Sequence, residues 1–84
     1  MTNIKLFERV AKHIAEDILQ FDNNQDLNEF LKEDFKYTWL ENSNEWVVTY
    51  DERVLFDGFK TEKEVLDFYE KLNDRIWEIV NSYL

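Results

Sequence analysis

The stretch that decides the fold is FKYTWLENSNEWVVTY, residues 35–50. On either side of it apolar residues recur at helical spacing, whereas within it aromatic and β-branched residues alternate with polar ones. This change of period predicts a first strand over residues 35–39 and a second over residues 46–50, separated by a turn at Asn42–Asn44. The alternation predicts that each strand keeps one apolar face, formed by Phe35, Tyr37, Trp39, Trp46, Val48 and Tyr50.

A third strand follows the second after a tight connection at residues 51–53. Val54–Phe56 is short, apolar and partly β-branched, which favours a strand. Gly58 is the one glycine of the chain, and its place after this strand predicts a positive φ angle. The three strands therefore predict an antiparallel meander.

Helices are predicted on both sides of this meander. The first covers about residues 3–21, where apolar residues alternate at spacings of three and four: Ile4, Phe7, Ala11, Ile14, Ile18 and Phe21. The polar run 22–24 ends it, and a shorter helix over residues 27–34 is predicted with Asp26 as its N-cap.

The last predicted helix covers about residues 62–83 and begins at a capping box, in which Thr61 is followed three residues later by Glu64. Its apolar stripe again alternates threes and fours: Val65, Tyr69, Leu72, Ile76, Ile79 and Tyr83. The whole order predicts a single α+β domain over residues 1–84, with both long helices on one face of the sheet.

Composition excludes several classes of function. The 84 residues include no Cys and one His, which excludes disulfides, thiolate metal sites, Cys nucleophiles and multi-His metal sites. The net charge of −9 disfavours direct binding to nucleic acid or to an anionic membrane, because both are polyanions. No apolar run is long enough to span a membrane, and the N-terminus lacks the features of a signal peptide, so a cytoplasmic location is expected.

No catalytic constellation is visible in the sequence. His13 has Asp17 four residues later, which predicts an ordinary pair on a helix surface. The two serines, Ser43 and Ser82, stand in no nucleophile motif, and one glycine cannot form a phosphate-binding loop. We expect a protein that is not an enzyme and needs no cofactor.

Residues 22–33 resemble an EF-hand calcium loop at several ligand positions: Asp22, Asn24, Asp26, Asn28 and Glu33. Leu27 stands where that loop requires glycine for its sharp turn, and Glu29 where an aliphatic residue is usual. The sequence therefore favours a capped helix here and predicts no metal site.

Acidic residues are concentrated in one part of the chain. Residues 16–34 carry seven acids against one lysine. Glu29 and Glu33 form a like-charge pair at i,i+4, and such pairs cost about 0.2–0.5 kcal/mol each. Since folding does not favour these acids, we expect them to bind a partner. The predicted partner-binding residues are Asp22, Asp26, Glu29, Glu33 and, as a second row on the last helix, Glu70, Asp74 and Glu78.

In size, acidic charge and mixed helix–strand order, the whole chain resembles the small acidic inhibitors encoded by phages, such as anti-CRISPR and other DNA-mimic proteins. The resemblance implies a non-enzymatic inhibitor in the host cytoplasm. Its partner would be a basic nucleic-acid-binding protein of the host, whose nucleic-acid site it blocks by charge mimicry. Carboxylates one helical turn apart have nearly the spacing of phosphates along one DNA strand, which agrees with this implication.

Two alternatives remain. One is a small structural or assembly protein, a homodimer formed through the aromatic sheet, whose acidic face serves only solubility. The other is an antitoxin or immunity protein that neutralises a basic nuclease. Trp77 lies beside the apolar stripe of the last helix, either at the edge of the core or as an exposed contact for a partner.

Overall fold

The computed structural model describes residues 4–20 and 34–83. Within these ranges the chain forms helix α1 (Ile4–Leu19), strands β1 (Phe35–Leu40), β2 (Glu45–Tyr50) and β3 (Arg53–Phe59), and helix α2 (Glu62–Ser82). The strands form one antiparallel sheet in the order β1-β2-β3. The predicted α+β class is confirmed. The short helix predicted over residues 27–34 lies outside the described residues except for Asp34, which is in the turn before β1.

The register of the first hairpin agrees with the face predicted from the alternation. Phe35 pairs with Tyr50, Tyr37 with Val48, and Trp39 with Trp46, so that all six aromatic and apolar side chains share one face. β2 is more buried than alternation alone predicts, because every residue from Val47 to Tyr50 is buried. Val47 and Thr49 are thus buried on the opposite face of the strand from Val48 and Tyr50.

The β2–β3 hairpin uses a two-residue turn. Asp51 and Glu52 have φ angles of 52° and 65°, the left-handed conformation that a type I′ turn requires at both positions. This turn matches the twist of the strands, and Tyr50 pairs directly with Arg53 across it.

Strand β3 is longer than predicted. The prediction ended it at Phe56 and placed Gly58 between this strand and the next element, yet the strand continues to Phe59. Gly58 has the predicted positive φ, 82°, but it lies inside the strand, where the register shifts between the pairs Val48–Phe56 and Trp46–Phe59. The Gly58 N–H donates to the Glu45 carboxylate at 2.9 Å, so the irregularity remains hydrogen-bonded to β2.

Helix α2 begins as predicted. The Glu64 N–H donates to the Thr61 Oγ1 at 3.1 Å, and the Glu64 carboxylate accepts from the Lys60 N–H at 3.2 Å. The cap satisfies a backbone donor that has no partner within the helix.

The two helices pack against each other and against one face of the sheet. Their shared core consists of residues from all five elements: Ala11, Ile14, Ala15, Ile18, Phe35, Val48, Tyr50, Phe56, Val65, Leu72, Ile76 and Val80. Along α1, Phe7 contacts Phe68, whose ring meets Phe59, whereas Asp17 further on bonds Tyr50 at the other end of the sheet. Helix α2 follows Phe59 and reaches Phe35, the partner of Tyr50, at Tyr69, so the two helices run parallel. No helix in the described part of the chain is long and apolar enough to cross a membrane.

Among the described residues of the predicted apolar stripes, which exclude Phe21, two are not in the core. Ile4 is 77% exposed because it lies at the start of α1, and Tyr83 is 63% exposed because it is the C-cap of α2. Trp77 is partly buried against the core, which agrees with the first of its two predicted roles.

Candidate functional site

The acidic row predicted on the last helix lies on the outer surface of α2. Glu70, Asp74 and Glu78, which we call the acidic row, are all exposed and follow one another at intervals of four residues. Successive carboxylates are therefore about 6 Å apart along the helix. Glu78 accepts a hydrogen bond from Arg75 Nη1 at 3.1 Å, whereas Glu70 and Asp74 form no ion pair within the described ranges. The other predicted partner-binding residues, Asp22, Asp26, Glu29 and Glu33, lie outside the described residues.

Helix α2 is packed against the core and the sheet on the side opposite the acidic row. Leu72 and Ile76 are fully buried on the opposite side of α2 from the acidic row. The Tyr69 ring stacks on Phe35 with ring centroids 4.4 Å apart, and its hydroxyl donates to the Phe35 carbonyl at 2.8 Å. The acidic row is thus carried on a helix that is fixed to both the core and the sheet.

A basic row faces solvent on the neighbouring helix. Lys5, Arg9 and Lys12 of α1, which we call the basic row, are exposed. Between this row and α2 the Arg75 guanidinium forms a bidentate bridge to the Glu8 carboxylate, with Nε–Oε1 and Nη2–Oε2 distances of 2.9 and 3.0 Å. A groove of about 390 Å³ lies alongside this bridge, and its walls include Ile79 and Tyr83. Sequence reasoning missed this groove because it depends on how distant segments pack.

A second cavity, of about 430 Å³, lies where α1 crosses the β2–β3 turn. The Tyr50 hydroxyl donates a hydrogen bond to the Asp17 carboxylate. His13 Nε2 lies 3.6 Å from the same Asp17 oxygen, and the His13 and Tyr50 rings meet edge to face at 6.0 Å. The predicted His13–Asp17 pair is therefore present, and Tyr50 joins it.

Burial raises the pKa of Tyr50 well above its usual range, and the hydrogen bond and negative charge of Asp17 raise it further. The carboxylates of Asp34 and Asp51 add to the same effect on this pKa. A phenol held in its protonated form is a hydrogen-bond donor and not a base. This network therefore joins α1 to the end of β2.

The described residues contain no group of three or more His, Asp or Glu side chains placed to hold a metal ion. Within the same residues, the polar partner of the His13 imidazole is Asp17. The EF-hand-like segment 22–33 lies outside the described ranges, so the prediction for it stays a prediction. In comparisons with known proteins, no family model, no curated protein and no solved structure matches this chain.

Proposed function

We propose that this protein is a small non-enzymatic inhibitor that binds a basic, nucleic-acid-handling protein through its acidic face and blocks the nucleic-acid site. The observation that supports the proposal is the acidic row, whose carboxylates are exposed at one-turn spacing on a firmly packed helix. A rigid row of this kind presents negative charges about 6 Å apart. Phosphates along one DNA strand have a similar spacing, because the strand winds around the duplex and is longer than the axial rise of about 3.4 Å per base pair.

The energetics of the row support a role in binding. Glu70–Asp74 and Asp74–Glu78 are like-charge pairs at i,i+4, and each costs about 0.2–0.5 kcal/mol where a Glu–Lys pair would stabilise the helix. Two of the three carboxylates have no ion-pair partner among the residues described, so they stay available to a basic surface. Complementary charge would steer such a partner toward this face and speed its association.

The proposal is tested by competition with nucleic acid. Purified CRISPR effectors, restriction enzymes, DNA glycosylases and polymerases are each mixed with a fluorescent DNA substrate, and the anisotropy is followed as the protein is added. We expect at least one enzyme to release its DNA. The double variant Glu70→Lys/Asp74→Lys should weaken this effect by about 2 kcal/mol or more if the carboxylates contact desolvated Arg or Lys.

The matched control is Glu41→Lys/Glu52→Lys, which changes the net charge equally at two other exposed acids. We expect this control to inhibit nearly as well as the unmodified chain. Release of DNA that is equally insensitive to both double variants would refute the acidic row as the contact surface. If no enzyme in the panel releases its DNA, inhibition of these classes by charge mimicry is wrong.

A further inference from the structure

We infer that the outer surface of the two-helix layer is a self-complementary docking surface for a second copy of this chain. The surface carries the basic row on α1 and the acidic row on α2, side by side and both exposed. Arg9 and Lys12 form no ion pair within the described residues, and neither do Glu70 and Asp74. The charges of Arg9, Lys12, Glu70 and Asp74 are therefore not neutralised by ion pairs within the described part of one molecule. This inference goes beyond the proposed function and does not depend on it.

The parallel arrangement sets the two rows at the same height. Phe7 contacts Phe68 at 5.7 Å between ring centroids, and Glu8 contacts Arg75 at 2.9 Å. Counting along both helices from these contacts, Arg9 lies within about one turn of the level of Asp74. Lys12 then lies at a similar level to Glu78, further along the same two helices.

Symmetry converts this side-by-side arrangement into complementarity between two molecules. A twofold axis along the groove, parallel to both helices, places α1 of one copy opposite α2 of the other without changing height. The basic row of each copy then meets the acidic row of its partner. This contact occurs twice, once on each side of the axis, as in any isologous interface. An axis perpendicular to the helices would instead place like-charged rows opposite each other.

The groove supplies the apolar centre of this interface. Ile79 is partly buried in its wall, and the Tyr83 side chain is 63% exposed beside it. On the twofold axis the two grooves face each other, so each exposed tyrosine ring can cover the apolar wall of its partner. Interfaces commonly combine an aromatic anchor at the centre with charged residues at the rim.

The expected dimer is weak. A helix of 21 residues is about 31 Å long, and two neighbouring helices are about 20 Å wide, so each copy would bury roughly 600 Å². Stable interfaces usually bury about 800 Å² per partner. The net charge of −9 on each copy also opposes association, so we expect a dimer that forms only at high protein concentration.

A charge-exchange experiment tests the inference. Variant one is Arg9→Glu/Lys12→Glu, which reverses two of the three charges of the basic row. Variant two is Asp74→Lys/Glu78→Lys, which reverses two of the three charges of the acidic row. Sedimentation velocity over a concentration series measures association of each variant alone and of an equimolar mixture. We expect each variant alone to associate at least tenfold more weakly than the unmodified chain, and the mixture to regain association as a heterodimer.

Two controls match the changes in net charge at other exposed positions. Lys36→Glu/Lys60→Glu matches variant one, and Glu41→Lys/Glu52→Lys matches variant two. We expect both controls to associate within about threefold of the unmodified chain. A circular dichroism melt confirms that every variant is folded. The inference is overturned if the unmodified chain stays monomeric, if the controls weaken association as much as the variants, or if the mixture fails to associate.

The same variants separate this inference from the proposed function. Variant one keeps the acidic row intact, so it should still displace DNA from a target while it no longer forms the homodimer. If variant one is folded but neither dimerises nor inhibits, the acidic row is not the contact surface for the target, and the inference about the homodimer is unaffected. Because the acidic row serves both interactions, the target and the second copy should compete for it.

Discussion

Replacement of Ile76 by Ala should destabilise the protein severely, because this side chain lies at the centre of the contact between α2 and the rest of the core. Ile76 is fully buried and belongs to the same cluster as Ile14 and Leu72. The replacement removes three carbon atoms, which corresponds to about 2.4 kcal/mol of lost burial at 0.8 kcal/mol per carbon. Incomplete collapse of the cavity raises the expected loss to about 3–4 kcal/mol.

The expected shift in melting temperature follows from the size of the chain. An unfolding entropy of about 2.1 cal/mol/K per residue gives roughly 0.18 kcal/mol/K for the 84 residues. A loss of 3–4 kcal/mol therefore lowers the midpoint by about 15–25 °C. For a domain this small the loss is a large part of the total stability.

Urea unfolding followed by tryptophan fluorescence measures the change, since Trp39 and Trp46 lie on the sheet and Trp77 on α2. The matched control is Ile4→Ala, the same substitution at a position that is 77% exposed. We expect the control to change the free energy of unfolding by less than about 0.5 kcal/mol. If Ile76→Ala were as mild as Ile4→Ala, the stripe of α2 would not face the core and the packing described above would be wrong.

Three further predictions concern pH, calcium and the segment that carries most of the acidic charge. Burial is the main cause of the raised pKa values of Tyr50 and Tyr69, so the folded chain holds both phenol protons more tightly than the unfolded chain does. The contribution of these groups to the free energy of unfolding is therefore complete below pH about 10 and falls as the pH rises further. Urea midpoints measured through this range should fall less steeply for Tyr50→Phe, and an unchanged slope would contradict the assignment. Millimolar calcium should leave the melting midpoint unchanged, whereas binding at 100 times Kd would add about 2.7 kcal/mol to the free energy of unfolding. A calcium-dependent rise in the midpoint that disappears in Asp22→Ala would show that residues 22–33 bind the ion. Glu29→Lys/Glu33→Lys should change the free energy of unfolding by less than about 0.5 kcal/mol or raise it. The same change should weaken binding to an identified target by about 2 kcal/mol or more, and the salt dependence of that binding should disappear with it. A target that binds both forms equally would rule these two residues out as contacts.

Local chemistry accounts for the parts of the fold that could be predicted from the sequence. The change of period at Phe35 marks where the sheet begins, because a pleated strand alternates its faces at every residue. Thr61 and Glu64 mark the start of α2, since a capping box satisfies the free amides of the first turn. These signals depend on neighbours within four residues, so they need no knowledge of the rest of the chain.

Features that depend on distant contacts were missed. Gly58 continues β3 because the Glu45 carboxylate, thirteen residues earlier, accepts its N–H. The Tyr50–Asp17 hydrogen bond spans thirty-three positions, and neither residue type indicates the other. In the candidate site, the exposed acidic row of α2 follows from helical periodicity, whereas its proximity to the basic row of α1 requires the tertiary packing.

The parallel pairing of α1 with α2 has a consequence for biosynthesis. The two helices are joined by contacts such as Glu8–Arg75, sixty-seven positions apart, whereas the meander closes through neighbouring segments. A ribosome makes α1 before the three strands, yet the main helical partner of α1 emerges only after them. Until then the apolar stripe of α1 is without the surface that covers it in the finished protein. A nascent chain stalled before residue 62 should therefore recruit chaperones or aggregate, even though all three strands have been made.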